Sequence, residues 1–187
     1  MGTYLVLYGT GEGQTAKVAT RLADTLTERG HDVTTADIET ADVSPADYDA
    51  VLVGSSIHVG KHHAGIREFL EANRVALTER PTALFQLSLS SAVDDPEGRA
   101  QAAEYVDDLL EATGWEPDRI GLFGGALRYS KYGFLKRLLM KRIARDATGD
   151  VDTSQDHEYT DWAEVEAFAD DFAAFAEGRL AARVDNE

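Results

Sequence analysis

Gly9-Thr10-Gly11-Glu12-Gly13-Gln14-Thr15 is the stretch of this chain best furnished for chemistry. Glycines at alternate positions let a backbone curl until several N–H groups point at one place. The hydroxyls of Thr10 and Thr15 and the amide of Gln14 add side-chain donors. A helix beginning directly afterwards adds its positive end, and the set suits a phosphate monoester. Rival phosphate loops fit less well. A Walker loop requires Gly-Lys before Ser or Thr, whereas Gly60-Lys61 precedes His62, and the dinucleotide fingerprint requires a third glycine where Gln14 stands. The plainer alternative is a loop whose glycines serve only a tight turn.

The 187 residues include no cysteine. Thiolate metal sites, iron–sulfur clusters, disulfides and cysteine nucleophiles are thereby excluded, and any redox chemistry needs a bound cofactor. His58, His62 and His63 cluster, but the glycine between the first two argues against one helical face. No further ligands complete a tetrahedral site, so no metal is expected. With 34 acidic against 18 basic residues the formal net charge is −16, which argues against a nucleic-acid partner. Met1-Gly2-Thr3 runs straight into an apolar strand pattern with no secretory signal, and no apolar run is long enough for a membrane span. A cytoplasmic location is the expectation.

Hydrophobic periodicity shows what must position the loop. Tyr4 to Tyr8 reads as a buried strand, and Val18, Leu22 and Leu26 as the face of a helix closed by Gly30. Strands follow at 31–38, 49–54, 82–87 and 120–126, with helices over roughly 62–77 and from Asp94-Asp-Pro-Glu-Gly98 to Gly114. A last helix is expected to start at Thr160 as N-cap, with Trp162, Val165, Phe168, Phe172 and Phe175 on one stripe. The alternation predicts one doubly wound α/β domain over 1–187, its sheet mainly parallel and its helices on both faces.

Thr10-x-x-Gly13-x-Thr15 resembles the hydroxyl-rich phosphate loop of the flavodoxins. The resemblance implies a five-stranded sheet of order 2-1-3-4-5 and FMN as cofactor, its phosphate cradled by Thr10, Gly11, Glu12, Gly13, Gln14 and Thr15. Glu12 stands where flavodoxins usually have another threonine. A carboxylate cannot donate to phosphate, so Glu12 is expected to offer only its backbone N–H and turn its side chain outward. The resemblance also implies that the loops after the third and fourth strands hold the isoalloxazine. They contribute Ser56, Ile57, His58 and Val59 on one side and Ser88, Leu89 and Ser90 on the other. Neither loop carries Trp or Tyr, which leaves the ring face open to a bulky substrate.

Residues 128–145 hold seven basic residues and no acid. Phe134, Leu135, Leu138, Leu139 and Ile143 share a helical face there, as in an interfacial amphipathic helix, or in an ordinary helix docked on the core. This basic helical insertion, about 127–150, interrupts the flavodoxin plan after the fifth strand. With Gly13-Gln14-Thr15, Gly54-x-Ser56-Ile57-x-x-Gly60-x-x-His63, Gly125-Ala-Leu-Arg128-Tyr129-x-x-Tyr132 and Tyr159-Thr160-Asp161-Trp162, it makes the chain resemble the menaquinone-dependent protoporphyrinogen oxidases. That resemblance implies an FMN enzyme oxidising protoporphyrinogen IX with menaquinone or a related quinone as acceptor. Arg128, Tyr129, Lys131, Tyr132, Lys136 and Arg137 become candidates for contact with substrate or with the surface of the membrane. Two other functions stay open: a flavodoxin-type electron carrier without its own substrate, and a flavin-free interaction domain.

Overall fold

The computed structural model describes residues 1–92, 95–127 and 156–184. Strand β1 (Thr3–Gly9) is apolar through its middle because it is covered from both sides, and Tyr4, Leu5, Val6 and Leu7 are all fully buried. A strand enclosed in this way shows no polar alternation. It pairs in parallel with β2 (Asp32–Asp37) on one flank and β3 (Ala50–Ser56) on the other. β4 (Thr82–Ser88) and β5 (Arg119–Gly124) continue the parallel sheet, giving the order β2-β1-β3-β4-β5. The expected order is therefore the observed one.

Two cores follow from the pleat. Tyr4, Val6, Leu52, Phe85 and Leu87 face α1 (Gln14–Glu28) and α4 (Trp162–Val184), where they meet Val18, Leu22, Leu26, Val165 and Phe172. Leu5, Leu7, Val51, Val53 and Leu84 face α2 (Ala64–Thr78) and α3 (Pro96–Thr113), against Ile66, Leu70, Val106 and Leu109. The stripe read on the last helix is buried at Val165 and Phe172, with Ala169, Ala173 and Ala176 completing it. Close approach requires the glycine at position 54. Gly54 pairs with Phe85 in register, and a Cβ there would lie 2.0 Å from Phe85 Cζ, so the ring lies across the bare backbone.

Two boundaries differ from expectation. Asp161, not Thr160, caps α4: its Oδ1 accepts from the N–H groups of Ala163 (2.9 Å) and Glu164 (3.3 Å). A carboxylate suits the positive helix end better than a hydroxyl that is already engaged elsewhere. The fifth strand stops at Gly124 rather than Ala126, because its partner β4 ends at Ser88, opposite Gly124. Ala126–Leu127 (β6) instead pairs antiparallel with His157–Glu158 (β7). The expected insertion, with Arg128, Tyr129, Lys131, Tyr132, Lys136 and Arg137, lies outside the described residues.

Candidate functional site at the carboxyl edge of the sheet

Strand order reverses between β1 and β3, and a ligand crevice belongs outside their carboxyl ends. The register there is Gly9 opposite Ser55, then Ser56 opposite Leu87. Thr10 to Thr15, Ser56 to Val59 and Ser88 to Ser90 therefore emerge at one edge of the sheet. The chain leaves β1 through a turn in which Thr10 Oγ1 accepts from the Gly13 N–H at 2.9 Å. Gly13 takes φ 94°, a conformation that favours glycine, and α1 starts at the next residue. The first turn of α1 contains no acidic residue, so its positive end faces the loop without an internal counter-charge.

Within this loop the side chains divide their duties in a way the sequence did not show. Gln14 Nε2 donates to Thr160 Oγ1 at 2.9 Å, and the Thr160 hydroxyl donates to the Gly124 carbonyl at 2.7 Å. The Gln14 amide thus ties the loop to the start of α4 and the end of β5. Thr15 is fully buried, and its hydroxyl has no hydrogen-bond partner. A buried hydroxyl left unsatisfied costs about 1–3 kcal/mol, and such an atom beside a helix N-terminus marks a place for an acceptor. A phosphate oxygen is such an acceptor. The Glu12 side chain does not stand wholly in solvent as expected: the residue is half-buried and one carboxylate oxygen is shielded from water.

The second loop is built on β3. Ser55 Oγ accepts from the His63 N–H at 2.9 Å, and the Ile57 N–H reaches the Leu87 carbonyl at 2.8 Å, extending the ladder. His58 and Lys61 then exchange backbone hydrogen bonds of 2.8 and 3.1 Å around Val59 and Gly60. The three neighbouring histidines part company. His58 is exposed on this turn. The His63 ring lies over Gly9, where a Cβ would be 2.7 Å from its Cγ, and its Nε2 stands 3.5 Å from Glu39. His62 turns inward with its Nε2 buried, and burial pushes its imidazole down to about 4, against weaker opposing effects of Gln86 and Asp108. It is neutral at pH 7.

The third loop follows β4. Ser88 Oγ and Ser91 Oγ are 2.8 Å apart, the Ser91 N–H also donates to Ser88 Oγ, and Ser90 Oγ donates to Gln101 Oε1 at 2.5 Å. Both predicted serine hydroxyls are thus bonded within the protein. The Gly125 N–H reaches the Ser88 carbonyl at 3.0 Å, and the Tyr159 N–H the Gly125 carbonyl at 3.0 Å. A Cβ on Gly124 would lie 2.3 Å from the Tyr159 carbonyl oxygen, so this glycine permits a close backbone approach. Sequence reasoning gives Gln86 and Thr160 no place in this edge. Only Gln86 carried a legible signal, as an amide in an otherwise apolar buried strand.

A parallel sheet of order 2-1-3-4-5, with a glycine loop feeding a helix N-terminus at the reversal, defines a flavodoxin-type domain. The model of the flavodoxin domain matches residues 5–154. A short-chain flavodoxin associated with a bacterial microcompartment superposes with a TM-score of 0.57 at 17% identity, covering 94% of this chain and 99% of that one. An archaeal flavodoxin gives 0.56 at 16% identity, with the same coverage. At such identities the likeness concerns the fold. Protoporphyrinogen IX dehydrogenase (quinone) of Escherichia coli K12 is 33% identical over 171 residues, 90% of this chain and 93% of its own. The Leishmania major protein of the same name is 34% identical over 174 residues, 91% of this chain and 74% of its own. The chain belongs to the flavodoxin-domain family, and within it to the family of these protoporphyrinogen IX dehydrogenases. Membership implies flavin binding.

Proposed function

We propose that this protein is an FMN-dependent oxidoreductase that converts protoporphyrinogen IX to protoporphyrin IX and passes the electrons to a membrane quinone. The observation that carries the reading is the 33% identity to a protoporphyrinogen IX dehydrogenase along 90% of the chain. The edge fits the cofactor: the buried, unpartnered Thr15 hydroxyl and a first turn of α1 without acidic residues suit a dianionic phosphate. The Thr15 hydroxyl and N–H would hold that phosphate together with the Gly11 N–H, while Thr10, bonded to the Gly13 N–H, and Gln14, bonded to Thr160, keep the loop in shape. Ser56 to Val59 and Ser88 to Ser90 would frame the ring. FMN, when bound, supplies the electron-transfer chemistry.

The chain's own part is to bind, orient and exclude water. Ile57 is half-buried beside Leu87 in the extended ladder and offers an apolar wall. His62 is held neutral beneath this loop and adds no charge to it. The run 128–145, basic on an otherwise acidic chain, supports contact with anionic lipid headgroups or substrate carboxylates, each Lys or Arg near an anionic bilayer contributing about 1 kcal/mol. Among the described residues no helix is long and apolar enough to cross a membrane, so a peripheral approach to the quinone is part of the proposal. The acidic surface also favours a second reading, an electron carrier that docks weakly on charged partners.

Purified protein loaded with FMN and mixed anaerobically with protoporphyrinogen IX should lose the visible absorbance of its oxidised flavin, and a menaquinone analogue should restore it with growth of porphyrin fluorescence. Bleaching by a carrier's reductase but not by the porphyrinogen overturns the enzyme reading and leaves the carrier. No flavin uptake at all overturns both.

A further inference from the structure

The turn at the tip of the β3 loop is not self-supporting. His58 and Lys61 close a two-residue hairpin in which Val59 has φ +50° and Gly60 φ +72°. Two left-handed central residues favour Asn-Gly or Gly-Gly. A β-branched residue there is an outlier, which persists only where the surroundings maintain it. Val59 itself brings no support, because its side chain is 84% exposed and lies outside both cores. The support comes from α3. The Tyr105 ring lies beside Gly60, its Cε1 3.9 Å from the place a Cβ would take. One residue past the turn, His62 is buried where Gln86 of β4 and Asp108 of α3 act on its imidazole.

The same helix reaches the other ring loop. Gln101, one turn before Tyr105, accepts at its Oε1 from the Ser90 hydroxyl at 2.5 Å, and the Ala102 carbonyl accepts from Gln86 Nε2 at 2.9 Å. Positions 101, 105 and 108 are spaced i, i+4 and i+7, so they form one stripe along the helix. Val106 and Leu109 anchor that helix in the second core. Gln101 therefore meets the loop after β4 and Tyr105 the loop after β3, from a rigid element that belongs to neither. The two loops themselves carry no Trp or Tyr; the aromatic ring stands behind one of them.

We infer that α3 sets the width of the slot for the flavin ring, with Tyr105 and Gln101 as positioning residues that hold the two framing loops at a fixed separation. This rests on the reading proposed above and adds to it residues that act through the loops. A loop already in its binding shape adds no cost on association, whereas one that must be re-formed lowers the apparent affinity by the fraction that is competent.

The test uses the full chain and the variants Tyr105→Ala, Tyr105→Phe and Gln101→Ala, with FMN and riboflavin as paired probes. Riboflavin carries the ring without the phosphate. A change in the ring slot therefore weakens both flavins by the same factor, and a change in the phosphate loop weakens FMN alone. Tyr105→Ala should weaken both about fivefold to tenfold, read by quenching of flavin fluorescence. Gln101→Ala should weaken both about twofold to fivefold. Tyr105→Phe keeps a ring beside Gly60 and should restore the affinity. The midpoint potential of bound FMN should move toward that of free FMN in Tyr105→Ala and keep its wild-type value in Tyr105→Phe, a pattern that lost stability alone does not produce. Gln101 is exposed, Tyr105 is half-buried and alanine favours a helix, so the FMN-free variants should still melt cooperatively. Wild-type affinity for both flavins and an unmoved potential in Tyr105→Ala and Gln101→Ala overturn the inference while the enzyme reading stands. Loss of FMN affinity with riboflavin affinity kept means that α3 acts on the phosphate loop, and overturns it too. Equal losses in Tyr105→Phe and Tyr105→Ala show that the ring beside Gly60 is not the brace, and again overturn it. A wild-type protein that takes up neither flavin removes the proposed function and the inference together.

Discussion

Replacing Thr15 by valine should push stability and cofactor affinity in opposite directions. The side chains are nearly the same size, so packing around a fully buried position changes little. In the FMN-free protein the hydroxyl has no partner, and removing it relieves part of a penalty of about 1–3 kcal/mol. A gain near 1 kcal/mol is expected, which for a chain of this length raises the melting temperature by about 2–4 °C. With FMN bound, the same hydroxyl would bond a charged phosphate oxygen, an interaction of about 1.5–3 kcal/mol. Its loss should weaken binding about tenfold to 150-fold. Thermal melts of the FMN-free protein and a flavin fluorescence titration read the two effects separately, and Thr15→Ser should keep most of the affinity. A Thr15→Val protein that binds FMN within threefold of wild type refutes the phosphate assignment. One that is destabilised by more than 1 kcal/mol without cofactor shows instead that the hydroxyl is satisfied in the folded chain.

Gly54→Ala should destabilise the protein by about 2–4 kcal/mol in urea titrations, because the new methyl meets the fully buried Phe85 ring at 2.0 Å and a packed core gives little; a loss under 1 kcal/mol would show that the ring can move aside. Acid should weaken the fold through His62. Its folded value of about 4 lies below the ordinary 6.5, so between these pH values the unfolded chain binds a proton that the folded one does not. The stabilisation is complete above pH 6.5 and lost as pH falls toward 4, about 2 kcal/mol of it between pH 7 and 5. His62→Leu should flatten the stability–pH curve by that amount, and an unchanged slope counts against a buried neutral imidazole.

The sheet order and the site loops were legible because they rest on short-range signals: uninterrupted apolar strands, helical periodicity, and glycines clustered directly after β1. What was hidden depends on contacts across the fold. Gln14 reads as a ligand donor from its neighbours alone, yet it bonds Thr160, 146 positions away. Thr160 reads as a helix cap because hydroxyls favour that position, but Asp161 beside it is the better anion for the helix end, and Thr160 is drawn to the Gly124 carbonyl. The fifth strand was read too long for a similar reason. Its apolar run continues past Gly124, while the strand it needs as a partner does not. Glu12 is expected outside because a carboxylate cannot donate to phosphate, and no local pattern announces that one of its oxygens is shielded from water.

The small β6–β7 ribbon has an architectural consequence. Ala126 sits opposite Glu158 and Leu127 opposite His157, so the chain departs from the main body and comes back to it through a single doorway. The ribbon therefore holds positions 127 and 157 side by side, and the register of the five parallel strands is set without any residue between them.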